Sequence, residues 1–210
     1  MVHSPQAQAP DDPDWVRQGT RAAWSEIGSW LQTLGAVFKD PVGFGRDFVS
    51  GQRHALNPVA FLLNSVAVAV PASQIWSHWV VDPWPESGFW TELLIPLTSL
   101  LGNCFMAVLA HAVLRLLARP RLLRSTVAMA LYASGGPTVG TGLVLLPLSL
   151  LGAVGVQVMG LIPLAVFLTY FALMLRGLHA ARWPSIIGSV AVAFVIYNVV
   201  WAAGFGTLLR

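Results

Sequence analysis

The sequence predicts an all-α membrane protein, a bundle of five transmembrane helices preceded by one or two amphipathic interfacial helices. First, 56% of the residues are hydrophobic and only 10% are charged, whereas a soluble domain carries about 25% charged residues. Second, residues 125–175 contain no Asp, Glu, Lys or Arg, and one span needs about 20 apolar residues, so this stretch fits two spans. Third, segments that contain Arg and Lys alternate along the chain with segments that contain almost none, which is the pattern of membrane topology.

The first segment, residues 1–22, is polar and rich in Pro, Gln and Asp. This composition predicts a disordered cytosolic tail, since it offers little apolar surface to bury. It has no basic region followed by an apolar core, so it does not resemble a signal peptide. We therefore expect the first span to act as its own insertion signal.

Residues 23–53 predict short amphipathic helices in the headgroup layer. The Asp40-Pro41 pair is typical of an N-cap followed by proline at the first helical position. The alternative is that the apolar stripes pack onto the transmembrane bundle. The stripe residues recur at steps of three and four and are Trp24, Ile27, Trp30, Leu31, Leu34, Val37 and Phe38, then Val42, Phe44, Phe48 and Val49.

The remaining chain, residues 54–210, predicts the five-helix transmembrane domain. Each apolar run is long enough to cross the bilayer with some tilt, and Asn57-Pro58 marks the start of the first. The predicted spans are about 55–76, 92–115, 125–150, 155–176 and 183–208.

Orientation follows from the basic residues, which mark the cytosolic flanks. The pattern predicts a cytosolic N-terminus, a C-terminus outside and a location in the cytoplasmic (inner) membrane of a bacterium. The loop between the first two spans holds no basic residue but several tryptophans, which favour the membrane–water interface. The basic residues on the cytosolic side are Arg17, Arg21, Lys39, Arg46 and Arg53, then Arg115, Arg119, Arg121 and Arg124, then Arg176 and Arg182, and only Arg210 falls on the far side.

The chemistry-bearing residues form no recognisable catalytic or cofactor motif. Lys39 is the only lysine and follows no glycine-rich turn, which excludes a phosphate-binding loop. Cys104 is the only cysteine and is expected to be a small buried hydrophobe. The other histidines, His3, His54, His78 and His179, share no ligand spacing with His111, and we expected them on different sides of the membrane. The sequence thus predicts a non-enzymatic protein without cofactor, metal or nucleic-acid partner.

One alternative interpretation is an intramembrane protease. Tyr132-Ala133-Ser134-Gly135 partly matches the Gly-x-Ser-Gly of rhomboid-type proteases, with His111 as a conceivable base. A base must come within hydrogen-bond reach of the serine. Along the spans, however, the two residues differ in depth by about 9 Å, and Tyr132 replaces the first glycine. The sequence therefore disfavours this reading.

The most distinctive local feature is Ser134-Gly135-Gly136-Pro137, followed by Gly140. Pro137 is expected to kink or break the third span, and glycines four apart allow another helix to approach closely. This break is the candidate pocket or partner surface, since broken helices can bind substrate. The alternative is a packing kink with interhelical amide bonds. The complete candidate set is Asn103, His111, Ser134, Gly135, Gly136, Pro137 and Gly140.

Taken in order, these features resemble those of the Yip1 domain family from about Leu34 to the C-terminus. The resemblance implies a five-span protein with a cytosolic N-terminus, and in eukaryotes a role in vesicle trafficking with binding of Rab-type GTPases. The chain lacks the Asp-Leu-Tyr-Gly-Pro motif before the first span, which favours a bacterial-type member. Uncharacterised bacterial membrane proteins with a basic Gly-x-Arg element, here Gly51-Gln52-Arg53, compete equally. The resemblance rests on Asp40-Pro41 with Phe44, Asn57-Pro58, Tyr132, and His179 before Trp183-Pro184-Ser185.

The leading functional hypothesis is an adaptor or scaffold for other membrane components, with the third span as its partner surface. The alternative is a small permease or lipid-handling protein that uses the break around Ser134–Pro137 as a pocket. The expected partners are the lipid bilayer and either a membrane protein or a second copy of the chain.

Overall fold

The structure, a computed structural model, describes residues 14–50, 55–80, 89–118, 122–150 and 156–208. Within these ranges the chain forms seven α-helices and no β-strand, which confirms the all-α prediction. The helices are α1 (Asp14–Lys39), α2 (Pro41–Ser50), α3 (Pro58–Val80), α4 (Phe89–Leu117), α5 (Leu123–Leu150), α6 (Val156–His179) and α7 (Trp183–Leu208).

Within the described residues, three helices are long and apolar enough to cross a membrane, which indicates an integral membrane protein. Their apolar windows are Leu100–Leu117 in α4, Leu161–His179 in α6 and Trp183–Ala203 in α7. A shorter apolar stretch, Pro58–Ala69, lies in α3. Each of the five predicted spans falls on one helix, α3 to α7, but a count of five spans remains a prediction.

Helix α5 is the centre of the bundle. It packs against α3 on one side and α6 on another, and it also contacts α4, which in turn packs against α7. Its residues 128–137 are almost continuously buried. This is why a stretch without any charge occupies the middle of the molecule: it contacts other helices on most of its circumference.

Helix α5 runs without interruption through Pro137, so the expected break in the third span is not present as a gap in the helix. Pro137 has no backbone N–H, so the Ala133 carbonyl loses its usual helical donor, a loss that transmembrane helices tolerate. Two hydroxyls bond to backbone carbonyls in the same segment: Ser134 Oγ donates to the Ala130 carbonyl at 2.7 Å, and Thr141 Oγ1 donates to the Pro137 carbonyl at 2.6 Å.

The arginines of the spans collect at one end of the bundle, here called the basic end: Arg115 near the end of α4, Arg124 at the start of α5, Arg176 near the end of α6, and Arg182 just before α7. Only three residues join α6 to α7, and the first of them, Ala180, has a left-handed φ of 51°. The Arg176 guanidinium lies 4.3 Å from the centre of the Trp183 ring across this turn.

Helix α1 begins at Asp14, inside the segment predicted to be disordered. The acidic first residue suits a helix N-terminus, and the periodic stripe of residues 24–38 continues the helix without a proline. Residues 1–13 of the predicted tail lie outside the described residues, as do Gly51-Gln52-Arg53 and residues 81–88 of the tryptophan-rich loop.

The junction of α1 and α2 confirms the predicted cap. Asp40 Oδ1 accepts a hydrogen bond from the Gly43 backbone N–H at 2.7 Å, and Pro41 is the first residue of α2. The start of α3 follows the same logic, because Asn57 Oδ1 accepts from the Val59 N–H at 2.9 Å and Pro58 is the first helical residue.

Helix α2 docks on α6 through two glycines. A Cβ at Gly45 would collide with the Met174 carbonyl, and a Cβ at Gly177 would collide with the Val42 carbonyl. Each glycine therefore lies against the backbone of the other helix. This contact places α2 on the bundle and not on lipid alone.

One side of α1 also docks on the bundle. Trp30 Nε1 donates to Ser65 Oγ of α3 at 3.0 Å, and Thr33 Oγ1 accepts from the Leu56 N–H at 3.0 Å. Val37 is fully buried in the core. The packing alternative for the amphipathic stripe thus holds for this side of α1.

Candidate functional site

Two of the predicted site residues meet inside the bundle. Asn103 of α4 donates through Nδ2 to Ser134 Oγ of α5 at 2.7 Å, and Ser134 in turn donates to the Ala130 carbonyl. Ser134 is buried, and Asn103 is half-buried. The pair forms a polar link between two helices in otherwise apolar surroundings, in the manner of interhelical amide bonds in membranes.

The predicted glycine surface is occupied by helices of the same chain. A Cβ at Gly135 would lie 2.9 Å from the Phe61 ring of α3. A Cβ at Gly136 would lie 3.1 Å from a methyl of Leu34 in α1, and one at Gly140 would lie 2.7 Å from the Phe38 ring. The close approach that the glycines allow is therefore made by α1 and α3. Gly135, Gly136 and Pro137 are buried, which leaves them inaccessible to another protein.

Tyr132 joins three helices directly beside these glycines. Its side chain is only 1% exposed, and its hydroxyl donates to the Leu56 carbonyl at 2.6 Å. The ring makes edge contacts with Phe44 and Phe48 of α2, at centroid distances of 4.8 and 6.0 Å, and a tilted contact with Phe61 of α3 at 5.4 Å. The sequence identified Tyr132 only through the family resemblance, because its partners come from distant parts of the chain.

His111 belongs to a second cluster, at the basic end. Thr126 Oγ1 of α5 lies 2.9 Å from His111 Nδ1 of α4 and 3.1 Å from His179 Nε2 of α6. The two imidazole rings are 6.0 Å apart. Thr126 has no exposed surface, and each histidine is only 8% exposed. One hydroxyl thus connects three helices.

The prediction that His111 and His179 lie on different sides of the membrane is wrong, since both contact Thr126. The positions of the arginines could have placed the two histidines together. His111 lies four residues before Arg115, and His179 lies three residues after Arg176. Both histidines therefore lie near the ends of helices that finish at the basic end. No pattern in the sequence distinguishes Thr126.

The geometry of the His111–Thr126–His179 cluster does not suit catalysis or metal binding. A threonine hydroxyl has one proton, so it can donate to one imidazole only, and the other ring must donate to the hydroxyl oxygen. A nucleophile must also reach its substrate, whereas Thr126 is completely enclosed. Among the described residues no group of three metal-ligating side chains occurs. The arrangement is that of a buried polar network that fixes helix positions.

The two residues of the protease interpretation, Ser134 and His111, form separate hydrogen bonds. Ser134 bonds to Asn103, whereas His111 bonds to Thr126. Thr126 and Ser134 lie two turns apart on α5, about 12 Å along its axis. Throughout the described ranges, no buried side-chain nitrogen or oxygen lacks a hydrogen-bond partner.

The described residues therefore contain two polar clusters, Asn103–Ser134 and His111–Thr126–His179. No protein-family model matches the chain, and no curated protein or solved structure compared with it shows a significant match.

Proposed function

We propose that this protein is a non-enzymatic, multi-pass membrane adaptor of the Yip1-like type, located in the cytoplasmic membrane of a bacterium with its N-terminus in the cytosol. The proposal places the recognition surface on α1. This differs from the third span favoured by the sequence, because Gly136 and Gly140 contact α1 in the structure.

The observation that carries the proposal is the two-sided character of α1. One side is fixed to the bundle by Trp30, Thr33 and Val37. The adjoining side exposes a continuous apolar stripe, in which Trp24 is 68% and Leu31 is 53% exposed. An adaptor needs a recognition element held rigidly on its membrane anchor, and a helix docked along one side provides it.

The stripe has the properties of a surface at the membrane boundary. Its members lie within a narrow arc of a helix with 3.6 residues per turn. Exposed Arg21 and Lys39 lie on one flank of this arc, where long basic side chains can reach headgroups while their stems cover apolar surface. The exposed stripe consists of Trp24, Ile27, Leu31 and Phe38.

The test is site-specific photocrosslinking in membranes at native expression. A photoreactive residue at Ile27 or Leu31 is expected to give a discrete protein adduct. The matched control is Gln32, which is exposed on the polar side of the same helix and is expected to give none. Equal adducts at Gln32, or lipid adducts only at Ile27 and Leu31, would contradict the adaptor role.

The alternative, a small permease or lipid-handling protein, is supported by the Asn103–Ser134 pair between α4 and α5. In the same experiment it predicts lipid adducts only, together with a change in lipid or solute movement when Ser134→Ala is introduced. A Ser134→Ala protein with unchanged transport of lipids and solutes would count against it.

A further inference from the structure

Helix α7 carries a stripe that no described part of the chain covers. The opposite side of α7 is in the core, where Ile186 and Ala193 are fully buried. The outward stripe is exposed along its whole length, with Ile187 at 58% and Val195 at 59%. Its members follow each other at steps of four, four, three and four: Ile187, Ala191, Val195, Asn198 and Ala202.

Asn198 is the polar residue of this stripe. Its Nδ2 donates to the Phe194 carbonyl of its own helix at 2.7 Å. A carboxamide offers two donor hydrogens and an acceptor oxygen with two lone pairs. Among the described residues, the Asn198 oxygen and the second amide hydrogen have no partner. Asn198 itself is exposed on the outward side of α7.

The position of Asn198 makes this unusual. It lies within the apolar window Trp183–Ala203, 15 residues after Trp183 and therefore about 22 Å along the helix. A polar group left unpaired in hydrocarbon costs several kcal/mol. Polar residues within spans accordingly face other protein groups or water.

A second copy of this chain would offer a partner with matching chemistry. All copies insert in the same orientation, so a second α7 presents its own Asn198 at the same depth. Two carboxamides facing each other across a two-fold axis can exchange donor and acceptor, as paired asparagines do in a parallel coiled-coil seam. A different membrane protein would need a suitable polar group at that same depth.

The residues beside Asn198 permit the close contact that such pairing requires. Ala191 and Ala202 lie about two turns before and one turn after it on the same stripe. Small side chains on an interface let two transmembrane helices approach closely. The steps of four, four, three and four keep all five residues on one side of α7.

We propose that α7 forms a parallel homodimer interface along this stripe, with the two Asn198 carboxamides paired across a two-fold axis normal to the membrane. The interface is on the opposite side of α7 from the core. The proposal rests on α7 as a transmembrane helix and is independent of the adaptor role.

The first experiment is disulfide crosslinking of the full chain in native membranes. Cys104→Ser removes the only cysteine, and single cysteines are then introduced by Val195→Cys, Ala202→Cys and Ile196→Cys. Ile196 is 38% exposed and lies off the stripe at the same depth, so it is the matched control. Dimers are expected at positions 195 and 202 and not at 196. Equal crosslinking at 196, or none at 195 and 202, overturns the interface.

The second experiment tests the carboxamide. The fraction of dimer is measured by single-molecule subunit counting after reconstitution at several protein-to-lipid ratios. Asn198→Leu is expected to weaken dimerisation by roughly 3- to 20-fold, the range for one interhelical hydrogen bond in a membrane, and Asn198→Gln to retain part of it. Asn64→Leu is the control, since Asn64 donates to Glu26 of the same chain.

The remaining outcomes are also decisive. A dimer that is unchanged by Asn198→Leu overturns the carboxamide pairing and identifies Asn198 as a residue solvated at the headgroups. A protein that remains monomeric at every protein-to-lipid ratio overturns the homodimer. The photocrosslinking result at α1 is unaffected in either case, so failure here and failure of the adaptor proposal can be told apart.

Discussion

Thr126 illustrates how much one buried side chain can connect. Its hydroxyl is the common partner of two imidazoles from different helices, and none of the three side chains is more than 8% exposed. Removing a shared partner leaves buried polar groups without a hydrogen bond, which costs more than the bond itself contributes.

We therefore expect Thr126→Val, which preserves the side-chain shape, to lower the free energy of unfolding by about 1–3 kcal/mol. The measurement is reversible denaturation of the purified protein in detergent micelles. Thr169→Val is the matched control on α6, where the threonine is exposed and bonds only to the Ala165 carbonyl of its own helix. A Thr126→Val protein as stable as the Thr169→Val protein would show that the cluster contributes nothing.

Single residues also show where sequence reasoning succeeds. The caps at Asp40 and Asn57 are predictable because the donor lies within three residues of the acceptor. The partners of Thr126 are 15 and 53 residues away. No local pattern encodes such pairs, and they become visible only once the ends of the helices are aligned.

At the scale of the element, α2 is distinguished by the way it docks on α6. Gly45 and Gly177 each lie against a backbone carbonyl of the opposite helix. These carbonyls cannot move aside as a flexible side chain can, so a methyl group at either position must separate the two helices.

Gly177→Ala is accordingly expected to lower the free energy of unfolding by about 1–3 kcal/mol, the usual cost of overpacking, and to expose α2 to trypsin at Arg46. The control is Gly188→Ala on α7, where the added Cβ would have its nearest neighbour at ordinary contact distance, 3.8 Å. That change is expected to be neutral or to stabilise the helix by up to about 1 kcal/mol. Equal trypsin sensitivity of the two variants would contradict the interlocked packing.

The sequence left open whether the apolar residues of α1 face lipid or the bundle. Its apolar residues recur at helical spacing whether the neighbour is lipid or protein, so periodicity alone could not divide them. The structure assigns Trp30 and Val37 to the bundle and leaves Trp24 and Leu31 exposed. Likewise, Pro137 predicted a break in α5, whereas the structure shows that the helix continues through this residue.

For the whole molecule, the number of spans determines the placement of the termini. Any odd number of crossings puts the N-terminus and C-terminus on opposite sides, so the five predicted spans and the three described helices that satisfy length and apolarity predict the same placement. Composition alone predicts an integral membrane protein, because too few charged residues are present to cover a water-facing surface.

We expect labelling by a membrane-impermeant maleimide to place the two ends of the chain apart. In a Cys104→Ser background, a cysteine after Arg210 is labelled in intact cells, whereas Ser4→Cys reacts only after the membrane is opened. Ala181→Cys, in the turn at the basic end, serves as the internal reference and is expected to behave like Ser4→Cys. Termini that react on the same side would require an even number of spans and refute the topology.

The hydrogen bond from Tyr132 to the Leu56 carbonyl joins residues 76 positions apart, and this separation has a consequence for biosynthesis. At about 5–20 residues per second, roughly 4–15 seconds pass between the synthesis of the two ends of this bond. Helix α3 is therefore made seconds before its main packing partner, α5. Until α5 is made, the insertion machinery or the surrounding lipid must cover the surface of α3 that later packs on α5. The order in which the helices are made thus differs from the order in which they can assemble.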